Sequence, residues 1–199
     1  QGFGAVGMHS ARFLAEAGAV LVAASDSRGT VAKADGLDVD ALIAVKAEGR
    51  SVADSGQGTA LPPDDIVGID CDIWIPAARP DVLNAENVGV LRTKLVVQGA
   101  NIPATLEAEK ALHQRGILSV PDFIANAGGV ICAAVEYRGG TETGAFQEIG
   151  ERIRRNTEEV LRLASGENIL PRTAADRLAD ARLRRAMSTR RWTSRSSAD

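Results

Sequence analysis

Cysteine is scarce. Cys71 and Cys132 are the only two in 199 residues, and neither sits in a CxxC pair or beside a histidine. That argues against a metal site and against a disulfide framework, and leaves the cytoplasm as the default compartment. Long apolar runs are missing as well. None reaches the roughly 20 residues of a membrane span, and no basic segment leads into an apolar one in the manner of a signal peptide. Positive charge is not in excess either. A formal net charge of −3 gives no electrostatic case for nucleic acid or for an anionic membrane as partner. The arginines that do cluster (Arg172, Arg177, Arg182, Arg184, Arg185, Arg190, Arg191 and Arg195) read as a solvated helix face running into a tail. There is no internal repeat, and the Ser/Arg end is the one low-complexity stretch.

What is present is core material in an alternating order. Hydrophobic residues make up 45% of the chain, enough for one domain of ordinary size. In MHSARFLAEAG, Met8, Ala11, Leu14 and Ala15 fall at helical spacing, and Gly18 supplies a stop. AVLVAAS is a continuous apolar run ending at Asp26, which predicts a strand buried on both faces of a parallel sheet. Asp38 caps a helix to about Glu48, and the small, polar, proline-bearing stretch 51–63 reads as loop. Strands are predicted from Cys71 to Ile75, up to about Gln98, and from Ile117 to Val120, with a short helix over 84–91. Another helix is capped by Thr105, with Glu107 and Glu109 in its first turn. Helices follow from Gly128 to Tyr137, along a face of Phe146, Ile149, Ile153, Val160, Leu161 and Ala164, and from Ala174 to Met187. The expected class is α/β: a Rossmann-like doubly wound parallel sheet with helices on both faces and a C-terminal helical segment. A dinucleotide-binding domain is expected over 1–187 and a disordered tail over 188–199.

The chemistry-bearing signal begins at once, in QGFGAVG. Gly2, Gly4 and Gly7 fit G-x-G-x-x-G: one glycine for a tight turn, one for close approach of backbone to a diphosphate, one for helix-on-sheet packing. A helix and an apolar strand follow, and Asp26 closes that strand at the spacing of a ribose-binding carboxylate. An acid there favours NAD. Arg28, two residues on, could neutralise a 2′-phosphate and leaves NADP open. In such folds ligands lie beyond the carboxyl ends of the strands. The corresponding loops are 76–78, 98–101 and 121–129, rich in small residues, with Asn101 and Asn126 as paired donor–acceptor groups. His9 and His113 fall on helices, where packing or solvent contact is the ordinary role.

DCDIWIPAA, QGANIPATLEAE and PDFIANAGGV together resemble the nucleotide-binding domain of the glutamate/leucine/phenylalanine/valine dehydrogenases, with motifs closest to the glutamate type, from Gln1 to about Met187. The resemblance implies that Gly2, Phe3, Gly4, Ala5 and Val6 surround the cofactor's pyrophosphate and Asp26 its adenosine ribose. Ala77 and Ala78 would lie along it, Asn101 at the nicotinamide ribose, and Asn126 at the carboxamide. Gly128, Gly129 and Val130 would wall the place where nicotinamide meets substrate. It also implies NAD(P)-dependent oxidative deamination of glutamate or a related L-amino acid to the 2-oxo acid and ammonia, by a homo-oligomer. The family typically has, three residues after that valine, a serine that helps hold the glutamate side chain. Ala133 stands there instead and cannot donate that hydrogen bond. The family's catalytic Lys and Asp belong to a preceding domain. Lys33, Lys46, Lys94 and Lys110 accompany no glycine-rich substrate motif, so the chain alone is expected to be inactive.

A buried strand normally precedes such a glycine turn, and here only Gln1 does. Without it, the sheet would expose two rows of backbone donors and acceptors. The expectation is an artificial boundary at Gln1, with the strand supplied from upstream, by a partner or by a neighbouring segment. A non-catalytic NAD-binding module or assembly subunit is the alternative reading. A hydroxy-acid dehydrogenase ranks low, because the His/Arg pair it needs is not found.

Overall fold

The computed structural model describes residues 1–188; residues 189–199, most of the expected tail, lie outside them. Two three-stranded sheets form the frame. In the first, β1 (Ala23–Ser25), β2 (Thr30–Ala32) and β3 (Thr59–Leu61) pair antiparallel in that order. In the second, β4 (Ile73–Trp74), β5 (Leu95–Val97) and β6 (Leu118–Val120) pair in parallel, with Trp74 opposite Val96 and Val96 opposite Ser119. Helices α1 (Ala5–Glu16), α2 (Val39–Ala47) and α3 (Leu106–Gln114) accompany the strands. After β6 come α4 (Asp122–Ala125), α5 (Gly128–Tyr137), α6 (Glu142–Glu167) and α7 (Pro171–Ser188). The predicted α/β class with a parallel sheet and a helical C-terminal segment holds.

The caps explain several boundaries. Asp38 Oδ1 accepts the Ala41 amide at 3.0 Å and starts α2; Thr105 Oγ1 accepts the Ala108 amide at 3.2 Å and starts α3. Asn168, in the left-handed conformation at φ 50°, ends α6, and Pro171 opens α7 one turn earlier than the sequence reading placed it.

The antiparallel sheet is a departure. β2 falls where the sequence predicts no element, just after Ser27, Arg28 and Gly29, and β3 lies within 51–63, which reads as loop. The Asp26 amide donates to Gly29 O at 2.9 Å and Asp26 Oδ1 accepts the Arg28 amide, so the chain reverses tightly after β1. The helix expected over 84–91 shrinks to a 3₁₀ turn at Val88–Val90. Asn84 Oδ1 accepts the amides of Glu86 and Asn87, and Asn87 Nδ2 donates to Val82 O, so side chains outcompete the helical ladder. Phe146 is 62% exposed: on α6 the buried face is Ala145, Val160 and Ala164.

Three apolar clusters result. Trp74, Leu83, Leu91, Val96 and Leu112 pack around the parallel sheet; Phe3, Ala24, Val31, Leu42 and Val52 pack around the antiparallel one; Val120, Ile124, Val160 and Ala174 join the C-terminal helices to β6. Residues 1–3 stitch the two sheets together at one end. Gln1 donates from its amine to Ile75 O and accepts the Ala77 amide, while the Gly2 and Phe3 amides both donate to Ser25 O. Beside that stitch runs a slot of about 600 Å³, walled by residues 20–25 on one side and 70–75 on the other, with Ala11, Leu14 and Ala15 of α1 also lining it.

Candidate functional site

The glycine turn is built as its spacing predicts. Gly2 sits at φ +88°, and a Cβ there would lie 2.6 Å from Ala78 Cβ and 2.8 Å from the Ala78 amide nitrogen, so only glycine fits. A Cβ on Gly7 would come within 2.1 Å of Gly2 O. Gly4 differs: a Cβ there would meet nothing within 4 Å. Gly4 is the residue preceding α1, whose first turn has no side-chain cap and no acidic residue. The amides of Ala5, Val6 and Gly7 therefore lack intrahelical acceptors, at the positive end of the helix dipole and beside open space. That is the chemistry of an anion cradle, and it fits a diphosphate. Phe3 offers the cradle no free donor: the residue is 4% exposed within the core and its amide is given to Ser25 O.

The strand-end loops are latched to this turn and to each other. Ala77 donates to Gln1 O at 2.8 Å, and Pro76 O accepts the amides of Gly99 (3.0 Å) and Ala100 (2.8 Å). Asn126, ending α4, donates from Nδ2 to Asn101 Oδ1 at 2.8 Å and to Ala100 O at 3.4 Å. The two asparagines expected from sequence are thus in contact, leaving Asn101 Nδ2 and Asn126 Oδ1 as a donor and an acceptor for a further group. On α5, Gly129, Val130 and Ala133 are exposed, Val130 to 77%, with Val130 and Ala133 one turn apart.

Asp26 stands at the end of β1, as expected, but its carboxylate is already fully engaged. Oδ2 accepts Lys46 Nζ at 2.8 Å and the Val52 amide at 3.0 Å; Oδ1 accepts Ser51 Oγ at 2.8 Å and the Arg28 amide at 2.9 Å. Burial alone would raise its pKa. The Lys46 ammonium, the two amides and the Ser51 hydroxyl outweigh that and hold it well below the usual carboxylate range. Arg28 points elsewhere, donating to Gly49 O at 2.8 Å. Replacing Asp26 with Asn should cost about 1–3 kcal/mol at neutral pH, because Lys46 keeps its charge and loses its counter-ion. The depressed folded-state pKa means that this contribution is complete above the unfolded value of about 4, and drains away as pH falls through the folded one. Thermal melts should therefore show a gap between wild type and Asp26→Asn that is constant from about pH 5 to 8 and closes below about pH 4. A gap that widens in acid would contradict the assignment.

Sequence reasoning did not find Lys46 and Ser51 as partners of Asp26, nor the Arg172–Asp122 pair behind Asn101 (Nη2 to Oδ1, 2.9 Å). Asp122 belongs to the PDFIANAGGV motif, whereas Arg172, 50 residues away, reads from sequence as one of the solvated arginines; instead its side chain is 24% exposed and is gripped by Glu109 and Asp122. Among the described residues no helix is long and apolar enough to cross a membrane, and no group of three His, Cys, Asp or Glu could hold a metal ion.

Comparison with known proteins gives a consistent result. Residues 1–191 match the family described as Glutamate/Leucine/Phenylalanine/Valine dehydrogenase. A glutamate dehydrogenase of Aeropyrum pernix is 38% identical over 203 residues, 96% of this chain and 48% of that protein. An NADP-specific glutamate dehydrogenase of Saccharolobus shibatae is 40% identical over 148 residues, 74% of this chain and 35% of that one. Among solved structures, the hetero-hexameric glutamate dehydrogenase of Thermus thermophilus, in a Leu-bound form, superposes with a TM-score of 0.78 at 27% identity, covering 92% of this chain and 46% of that one. The chain spans half or less of the length of these relatives.

Proposed function

The chain belongs to the glutamate/leucine/phenylalanine/valine dehydrogenase family, and we propose that it forms the NAD(P)-binding half of an enzyme that oxidatively deaminates glutamate or a related L-amino acid. One observation carries this reading: an uncapped helix N-terminus over the open side of Gly4, on the same sheet edge as the Asn101–Asn126 pair. When bound, the nicotinamide supplies the hydride acceptor. This chain supplies orientation. Amides of the glycine turn hold the diphosphate, Ala77 and Ala78 flank the dinucleotide, Asn101 takes the ribose and Asn126 the carboxamide. Gly129, Val130 and Ala133 face the amino acid, which the remainder of the enzyme brings in.

NAD is the proposed cofactor, with NADP accepted. The engaged state of Asp26 supports that tolerance, because a carboxylate neutralised by Lys46 repels a 2′-phosphate less than a bare one does. We place the enzyme in the cytoplasm as a homo-oligomer. Calorimetric titration with NADH and with NADPH tests the cofactor site, and no heat with either overturns it. The substrate is tested by supplying glutamate, leucine, valine and phenylalanine to the enzyme completed by its amino-acid-binding domain. Ala133→Ser should raise kcat/KM for glutamate several-fold by restoring a donor, and no gain would remove Ala133 from the pocket.

A further inference from the structure

One buried polar cluster lies behind the site rather than in it. Gln98 at the end of β5, Glu109 on α3, Ser119 on β6 and Asp122 at the start of α4 are all less than a tenth exposed. Arg172, from the first turn of α7, reaches in among them. Its Nε donates to Glu109 Oε2 at 2.7 Å, and its Nη2 donates to Glu109 Oε1 (2.8 Å), Asp122 Oδ1 (2.9 Å) and Gln98 Oε1 (3.2 Å). Gln98 Nε2 donates in turn to Glu109 Oε1 at 2.8 Å and to Ser119 Oγ at 3.1 Å. The guanidinium also lies over the Phe123 ring, 5.4 Å from its centre. The fork-on-carboxylate grip of Glu109 fixes where the guanidinium sits, so its contact with Asp122 is directional.

Asp122 connects this cluster to the cofactor loops. Its second oxygen, Oδ2, accepts the Ile102 amide at 2.8 Å. Ile102 is β-branched yet sits at φ 49°, a left-handed conformation that such a residue holds only when its surroundings impose it. Asn101 is its immediate neighbour. Asn126 lies at the other end of the four-residue helix that Asp122 opens, its amide donating to Asp122 O at 2.7 Å. One residue therefore adjoins both asparagines, its carboxylate holding the Ile102 amide beside Asn101 and its backbone carbonyl the Asn126 amide, and Arg172 holds that carboxylate. Burial by itself would raise the pKa of Asp122; the Ile102 amide and Arg172 outweigh it, so the carboxylate stays ionised.

We propose that Arg172 is a positioning residue for the nicotinamide end of the cofactor. Acting through Asp122, it holds Ile102 in its left-handed turn and keeps the Asn101–Asn126 pair in register for the ribose and carboxamide. This rests on the dinucleotide site described above. It separates the two ends of the ligand: ADP ends before the asparagines, whereas NADH extends over them.

The test is the affinity of the full chain for NADH and for ADP, measured by calorimetry. In Arg172→Met, NADH should bind about tenfold more weakly while ADP stays within about twofold of wild type. Arg172→Lys keeps the charge but loses the fork, and should fall between the two for NADH. Equal weakening of both ligands, or unchanged NADH binding in a folded variant, overturns the proposal and gives Arg172 a purely structural role. Should Arg172→Met not fold, hydrogen exchange on the wild-type chain decides. NADH should slow exchange at the Ile102 amide and ADP should not; the same response to both overturns the proposal. A wild-type chain that binds neither nucleotide overturns the cofactor site and this inference with it, whereas selective loss failing to appear in a chain that binds both overturns this inference alone.

Discussion

Gly4→Ala is expected to leave the fold nearly intact and remove most cofactor binding, whereas Gly7→Ala is expected to damage both. The two glycines differ in what a methyl would meet. At Gly4 a Cβ touches nothing within 4 Å, and φ is −94°, an ordinary value for any residue. The stability cost is that of alanine as a poor helix cap, about 1 kcal/mol or less. The open space beside the α1 amides is where a diphosphate would have to sit, and a methyl there blocks the approach. NADH and ADP should both lose at least about tenfold in affinity, on the order of 1.4 kcal/mol. At Gly7 a Cβ would lie 2.1 Å from Gly2 O, a backbone atom that cannot swing aside. Helix α1 must shift off the turn, costing about 1–3 kcal/mol or more and lowering the melting temperature as well as binding. Calorimetry and thermal melts on both variants give the comparison. Gly4→Ala binding NADH as wild type does would refute the cradle.

The contrast also shows what kind of information the sequence carries. Features set by neighbouring residues were legible: the glycine turn, the Asp38 and Thr105 caps, the apolar runs of β5 and β6, and the small-residue loops holding Asn101 and Asn126. Their physics acts over a few positions, so spacing reports it. Strands β2 and β3 are three residues each, too short for an alternating pattern, and the hairpin is closed by an aspartate that also reads as a ribose ligand. The turn at 84–91 hid because Asn84 and Asn87 take the backbone bonds that a helix needs. Phe146 looked like core because hydrophobicity says nothing of what lies opposite, and here it faces outward. The engagement of Asp26 depends on Lys46, Ser51 and Val52, brought 20 to 26 residues back by the fold. Arg172 meets Glu109 across 63 residues, and no local pattern encodes that contact.

The second large effect concerns the slot between the sheets. An extended apolar segment added ahead of Gln1 is expected to fill it and join the two sheets into one. Residues 1–3 already pair with both flanks, taking Ile75 O and the Ala77 amide on one side and Ser25 O on the other, in the manner of a strand's last residues. The walls are mostly apolar, with Leu14 and Ala15 of α1 above and Ile66 and Ile69 among the lining residues. Each large aliphatic side chain buried there contributes about 1.5–3 kcal/mol, against about 1.5 kcal/mol for ordering each residue. The ladder bonds on both edges come in addition, so a strand of about five residues should add on the order of 5 kcal/mol in all. For a chain of this size that is a rise of roughly 10–20 °C in melting temperature. A five-residue Val/Ile segment ahead of Gln1 should produce it, and the same segment with Asp at its centre should not, because the carboxylate would be buried without a partner. Both segments melting alike would mean that the slot is not a strand site.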